Sequence, residues 1–287
     1  MVTVRPTGAA LGAEISGVDL TKDVDDESFR QIREALHKHE VIFFRNQNLT
    51  PEQHIAFSRR FGELEHHVRQ DRCRPGYPEI FVVSNVVENG KPIGSQDAGY
   101  FWHSDLCYAE KPSMGSLLYA REVPMKDGEP RGDTIFASMT RAYDTLSEET
   151  KKKLAGRKAV NSYMHGYSRE RKSGPRPELT PEQKKKTPDM EHPAVRRHPD
   201  TGRKCLFVNE GYTTRIVGMD EGESSALLAD LFEHLKKSDN VYRHKWQAGD
   251  LLFWDNCATQ HQAVGDYELP QRRVMERTTV CGTRPYE

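Results

Sequence analysis

A mostly β fold with flanking helices is the architecture this 287-residue sequence predicts. Two observations carry it. From Tyr100 onward the chain runs in short apolar stretches broken by glycine and proline, the pattern of strands and turns. Amphipathic segments that read as helices are four, at Asp25–His37, from Thr50 to Gly62, at Ala142–Leu154 and at Asp220–Lys237. The absence of an internal repeat or a convincing linker adds a third expectation, one domain over 1–287.

Taken in order, Asp25 to His37 is expected to be a helix, with Phe29, Ile32 and Leu36 on one face. The continuous run Val41-Ile42-Phe43-Phe44 predicts a strand buried on both faces. Thr50-Pro51-Glu52-Gln53 opens a second helix: threonine caps, proline suits the first turn, and Gln53 completes a capping box. It carries Ile55, Phe57 and Phe61 and stops at Gly62. Ile80 to Val83 predicts a strand and Asn89-Gly90 a hairpin turn. Leu117–Tyr119 and Thr134–Phe136 are further strands, and Ala142 to Leu154 a helix ending at Gly156. Residues 168–190 contain Pro175, Pro177, Pro181, Pro188 and the run Lys184-Lys185-Lys186, and predict an exposed excursion. Asp220 to Lys237 is the clearest helix, with Leu227, Leu228, Leu231, Phe232 and Leu235 as its apolar stripe. Strands resume at Leu251–Trp254 and Arg273–Val280.

A net charge of −1 gives no global field toward nucleic acid or membrane. The lysine run lacks interleaved aromatics, so it marks a solvated face and not a nucleic-acid patch. No stretch is long and apolar enough to span a bilayer. The N-terminus lacks a charged segment followed by an apolar run, so no signal peptide is expected. Five scattered cysteines without a Cys-x-x-Cys pair fit free thiols in a reducing cytoplasm.

Trp102-His103-Ser104-Asp105 is the most informative stretch. On a strand, residues two apart share a face, so His103 and Asp105 would aim an imidazole and a carboxylate at one point. His261 would complete a two-histidine, one-carboxylate set of the kind non-haem iron oxygenases use. Most histidines bind no metal, and His103 alone would equally be a satisfied core residue. His37, His39 and His54 fall on helical segments and are expected at the surface. Of the neighbours His66 and His67, at most one faces a pocket. In the last strand Arg273, Met275 and Arg277 share a face, and two inward arginines there call for anionic partners.

Several segments resemble the Fe(II)/2-oxoglutarate-dependent dioxygenases of the taurine dioxygenase (TauD/TfdA) family. They are Gly8–Ile15, Phe57–Gly62, Trp102–Asp105, Gly132–Phe136, Val208–Val217, Trp254–Asn256 and Leu269–Arg277, in that order along nearly the whole chain. The resemblance implies a double-stranded β-helix, or jelly roll, flanked by helices. It implies Fe(II) on His103, Asp105 and His261, with 2-oxoglutarate and O2 as cosubstrates. Arg273 and Thr134 match the positions that grip the distal carboxylate of 2-oxoglutarate. Arg277 matches the arginine that meets the substrate's sulfonate in taurine dioxygenases, and His67 a histidine that contacts the same group. Tyr212 stands where the family places an aromatic wall. Two departures count against taurine itself. Gly99 replaces an asparagine four residues before the first metal histidine, a loss expected to open space that Tyr100 and Phe101 narrow again. Gln70 stands where a tyrosine is expected.

The resemblance therefore implies hydroxylation of a small anionic substrate with release of succinate and CO2. Sulfonates, alkyl sulfates, aryloxyalkanoates and amino or fatty acid derivatives are candidates, and C–S or C–O cleavage follows where the hydroxylated carbon bears sulfur or oxygen. Relatives suggest a dimer or tetramer. Asp105, where halogenases look to carry a small residue, favours hydroxylation. Two other classes compete: a zinc hydrolase, which would leave Arg273 unexplained, and a non-catalytic binding module that has kept the fold.

Overall fold

The computed structural model describes residues 1–67, 69–96, 99–169 and 178–287. It is mostly β with few helices, as expected. An eight-stranded sheet runs in the order Thr3–Pro6, Ala13–Ser16, Val41–Phe44, Leu251–Asp255, Gly115–Glu122, Val274–Val280, Tyr77–Ser84, Cys73–Arg74. Its pairings are antiparallel except that of Ala13–Ser16 with Val41–Phe44. A three-stranded sheet orders Val241–His244, Thr134–Ser138 and Thr259–Ala263.

The apolar runs are explained by burial on both faces. Ile42, Phe44, Leu117, Tyr119, Leu251 and Phe253 point to one side of the large sheet, where they pack with Phe29, Ile32, Leu36, Ile55 and Phe57 of the first two helices. Val41, Phe43, Leu118, Ala120, Leu252 and Trp254 point to the other, against Phe136, Trp246 and Met275. The two-residue alternation of a strand thus sends one half of each run to the helices and the other half to the second sheet.

Helix starts were legible in the sequence. Asp25 caps Asp26–His39 by accepting from the Ser28 N–H, and the Thr50–Gln53 capping box opens Pro51–Arg59. Asp220 caps Glu221–Leu235, whose Leu228, Leu231 and Leu235 are buried. The Ala142–Leu154 helix is corrected to two, Met139–Asp144 and Glu148–Leu154. Ser147 takes the Thr150 N–H onto its side chain, so it starts a new helix where the apolar period alone suggested continuation. His54 is corrected from surface to core: it is fully buried, and burial pushes its imidazole down to about 3. His37 and His39 are half-buried. In the 168–190 excursion, Thr180 and Gln183 form a second capping box that opens the short helix Pro181–Lys186. Residues 170–177 of it lie outside the described residues. No helix of the described residues is long and apolar enough to cross a membrane.

Glu40 ends the first helix in the left-handed region, φ 64. Its carboxylate is buried against Thr140 and Arg203, and burial pushes it up from 4.5 to about 7. The folded chain therefore keeps the Glu40 proton over that window while the unfolded chain has lost it. The burden on folding is absent below pH 4.5, grows as pH rises, and is complete above about 7. Glu40→Gln is expected to stabilise the protein at pH 8 by up to about 3 kcal/mol and to give no such gain at pH 4.5. Thermal unfolding at the two pH values checks this, and an equal effect at both would contradict it.

Candidate active site

His103 and Asp105 do not lie on a strand, a correction to the expected geometry. His103 forms an isolated antiparallel bridge with His261. Each backbone N–H reaches the other's carbonyl, at 3.2 and 2.9 Å. Residues paired in this way project side chains to the same side, and the two imidazole centroids lie 4.2 Å apart. After Ser104 the chain turns, with Leu106 at φ 56, and brings Asp105 back under the pair. The three side chains offer ligand atoms all within 4.8 Å of one another, and all three residues are buried.

The tautomer and charges suit a cation. His103 Nδ1 lies 2.8 Å from the Phe101 carbonyl, so it carries the proton and leaves the Nε2 lone pair open. That Nε2 is 3.8 Å from Asp105 Oδ1. Burial lowers the pKa of both histidines, in His261 well below the ordinary value with His103 adding to it. Burial opposes ionisation of Asp105, but Arg277, His261 and His103 outweigh it and hold the carboxyl well below the usual range. Near neutral pH the cluster is two neutral imidazoles and one carboxylate, the protonation state that ligation needs.

One arginine meets the cluster, and a second lies four residues before it in the chain. Arg277 donates from Nη1 to Asp105 Oδ1 at 3.0 Å, with its guanidinium 5.4 Å from the Phe81 ring centre. His67 stacks on the same ring, centroids 4.1 Å apart, so Phe81 joins the two residues expected at the substrate's anion. The His67 Nδ1 accepts the Arg69 N–H, and burial, with Arg277 and Arg69, pushes the imidazole down to about 4. His67 is therefore a neutral hydrogen-bond donor through Nε2. His66 is exposed. Arg273 stands just before the Val274–Val280 strand, buried, its Nε without a hydrogen-bond partner. A Cβ on Gly132 would come 3.1 Å from that Nε, which brings the Gly132–Thr134 segment against Arg273. The Thr134 hydroxyl accepts the Trp246 indole N–H at 3.0 Å, which leaves its own proton free to be donated. Arg277 Nε is likewise buried and unpartnered. An unmet guanidinium donor beside a carboxylate-and-histidine cluster, with a second on Arg273, fits a bound cation with anionic ligands.

Aromatic rings close one side. Phe101 lies 5.4 Å from the His103 ring and 5.6 Å from Tyr212, and Tyr108 4.8 Å from Tyr212. Phe101 and Tyr108 thus join Tyr212 in the wall; Tyr100 is anchored through its carbonyl, which accepts from Gln262 Nε2. The expectation that Gly99 opens space is corrected. At φ 76, a Cβ there would come 2.8 Å from His103 Cε1, so the backbone itself backs the imidazole. Gln70 is exposed, its side chain turned to the His67 carbonyl.

Residues 3–279 match the family described as taurine catabolism dioxygenase TauD, TfdA family. The chain belongs to the TauD/TfdA family. It is thereby an oxidoreductase, a 2-oxoglutarate-dependent dioxygenase that uses Fe(II), 2-oxoglutarate and O2. Pentalenolactone F synthase of Streptomyces arenae is 34% identical over 94% of this chain and 92% of that protein. The alpha-ketoglutarate-dependent 2,4-dichlorophenoxyacetate dioxygenase of Cupriavidus pinatubonensis is 32% identical over 97% of each chain. A taurine dioxygenase structure from Burkholderia xenovorans superposes with a TM-score of 0.82 at 35% identity, over 99% of this TauD/TfdA chain and 90% of that one. The zinc hydrolase and the non-catalytic module drop out as classes.

Proposed function

We propose that this TauD/TfdA enzyme hydroxylates a C–H bond of a small anionic organic substrate, with His103, Asp105 and His261 as its Fe(II) ligands. The observation that carries this is a pair of arginines, a half-buried Arg277 on Asp105 and a buried Arg273 against Gly132, each with a buried and unpartnered Nε. Two separate guanidinium groups suit two separate anions. Arg273 and Thr134 take the distal carboxylate of 2-oxoglutarate. Arg277, with His67, takes the anionic group of the substrate, and Tyr212, Tyr100 and Gly99 bound the space beside it. When bound, iron with 2-oxoglutarate and O2 supplies the oxidising chemistry, with succinate and CO2 released.

The chain's own residues fix the geometry. His103 and His261 present neutral imidazoles from one β-bridge. Arg277 orients the substrate from its anionic end and the aromatic wall excludes water from its carbon skeleton. Hydroxylation of a carbon that bears sulfur or ether oxygen yields an unstable product, so C–S or C–O cleavage follows for such substrates. The anionic 2,4-dichlorophenoxyacetate in one relative's name supports this class of substrate. The enzyme works as one unit over 1–287, its facing sheets forming a double-stranded β-helix, jelly-roll core, with the Pro/Lys-rich excursion at about 168–190. Its near-zero net charge and unpaired cysteines support a cytoplasmic protein with neither nucleic acid nor membrane as partner; a homo-oligomer, dimer or tetramer, is what the family resemblance suggests.

A panel of sulfonates including taurine, alkyl sulfates, aryloxyalkanoates and acyl amino acids, assayed for substrate-dependent succinate release, tests the proposal. With the best substrate, Arg277→Gln is expected to raise the apparent substrate constant roughly 30-fold or more while the 2-oxoglutarate constant stays nearly unchanged. Equal loss of both would refute a separate role for Arg277.

A further inference from the structure

The motif Trp254-Asp255-Asn256 has no part in the chemistry above, yet its Asn256 reaches the proposed ligand Asp105. We propose that Ser116 and Asn256 are positioning residues that clamp Asp105 Oδ2, so that the carboxylate offers a cation Oδ1 alone. This rests on Asp105 being a metal ligand.

The two carboxylate oxygens face different neighbours. Oδ1 lies on the side of the His103 Nε2 and Arg277. Oδ2 accepts from the Ser116 hydroxyl at 2.8 Å and from Asn256 Nδ2 at 3.4 Å. Ser116 is wholly buried and Asn256 nearly so. The orientation of the Asn256 amide follows from its donors. Its Oδ1 accepts the Trp254 indole N–H at 3.0 Å and the Asp105 backbone N–H at 3.2 Å. Both donors are N–H groups, so that atom is the oxygen and the NH2 must face the serines. Nδ2 then donates to Ser113 Oγ at 3.0 Å and Ser116 Oγ at 3.3 Å. The Ser113 hydroxyl donates to the Asp105 carbonyl at 3.0 Å, and the Ser116 hydroxyl to Oδ2. The Ser116 proton ends on the carboxylate oxygen turned away from His103, the Ser113 proton on the Asp105 carbonyl, and the two Asn256 amide protons are shared among Ser113 Oγ, Ser116 Oγ and Oδ2.

The clamp is itself held. Strand register sets Ser116 opposite Trp254. Beside Asn256, Asp255 Oδ2 lies 2.6 Å from His198 Nε2, and Oδ1 accepts the Cys257 N–H. His198, Asp255 and Cys257 form a second buried cluster of metal-ligating types. The hydrogen bonds argue against a metal there. His198 Nδ1 accepts the backbone N–H of Asp200 and of Thr201, both at 3.1 Å, so Nε2 carries the proton and has no lone pair to give. The cluster anchors the Asn256 turn instead. Partners of ligating carboxylates tune metal affinity through orientation, with losses of roughly 10- to 100-fold on their removal.

The test is Mn(II) affinity of the full chain, read by the loss of the free-ion EPR signal, with metal-free thermal unfolding alongside. Wild type is expected to bind Mn(II) and Asp105→Ala to lose that binding; wild type that does not bind sinks the iron-site proposal, separately from the clamp. Given wild-type binding, Ser116→Ala is expected to weaken it roughly 10-fold or more, and Ser116→Thr, which keeps the hydroxyl, to stay closer to wild type. Asn256→Asp, which sets a carboxylate against Oδ2, is expected to weaken it further and serves alone if Ser116→Ala does not fold. Unchanged affinity in Ser116→Ala, or in Asn256→Asp, overturns the clamp. So does an equal loss in Ser116→Ala and Ser116→Thr, since packing and not the hydroxyl would then be the cause.

Discussion

Asp105→Ala is expected to abolish iron- and 2-oxoglutarate-dependent succinate release. The carboxylate is the one anionic member of the cluster, and its two partners are neutral imidazoles. Removing an outer partner of a metal ligand costs roughly 10- to 100-fold, so removing the ligand with its charge costs more than about 100-fold. The same substitution also removes the acceptor of Arg277, which leaves a half-buried guanidinium without its partner beside the site. Both losses act against a bound cation. Succinate release under saturating Fe(II) and 2-oxoglutarate checks it, and a variant that kept full turnover would remove Asp105 from the metal site.

Arg273→Met is expected to destroy affinity for 2-oxoglutarate while leaving Mn(II) binding close to wild type. Arg273 is buried, and no carboxylate among the described residues forms an ion pair with it. Its neighbours are the Tyr267 ring at 5.7 Å and the bare backbone of Gly132. A buried guanidinium in such surroundings is stabilised by the anion it binds. Truncating one side of a buried charge pair costs about 2–5 kcal/mol, roughly 30-fold at the least in dissociation constant. Titrating 2-oxoglutarate into the Mn(II)-loaded variant by calorimetry gives the number directly. If Arg273→Met bound 2-oxoglutarate within a few-fold of wild type, the distal carboxylate would have to lie elsewhere.

What the sequence disclosed and what it hid divide along sequence separation. Helix starts at Asp25, Thr50 and Asp220 were legible because a cap and its partner lie three residues apart. The buried strands were legible because Val41–Phe44 and Leu251–Trp254 are apolar at every position. The Ala142–Leu154 break was legible in principle at Ser147-Glu148-Glu149, a capping serine with acidic residues behind it, but the apolar period masked it. The three residues of the cluster were legible in the sequence while their backbone was mistaken. His-x-Asp spacing suggested one strand face, whereas a β-bridge to His261 and a left-handed Leu106 bring the atoms together. Neither feature has a local signal, since the bridge joins distant segments and the left-handed residue is not a glycine. Gly99 was noticed for what it lacks, when its meaning lies in the imidazole behind it. Ser116 gave no sign at all. It is a small polar residue in an apolar strand, and only register with Trp254 makes it a neighbour of Asp105. Phe81 lies inside an expected strand and Tyr108 has no local signal, yet their rings lie beside His67, Arg277 and Tyr212.

On this reading one pocket holds Fe(II) through His103, Asp105 and His261 and 2-oxoglutarate through Arg273 at the same time. Anaerobic titration of the full chain with Fe(II) and 2-oxoglutarate tests it most directly. A weak visible charge-transfer band is expected only when both are present, lost in Asp105→Ala and shifted to much higher 2-oxoglutarate concentration in Arg273→Met. Wild-type protein that saturates with both and shows no band, or a band that survives unchanged in Asp105→Ala, would contradict it.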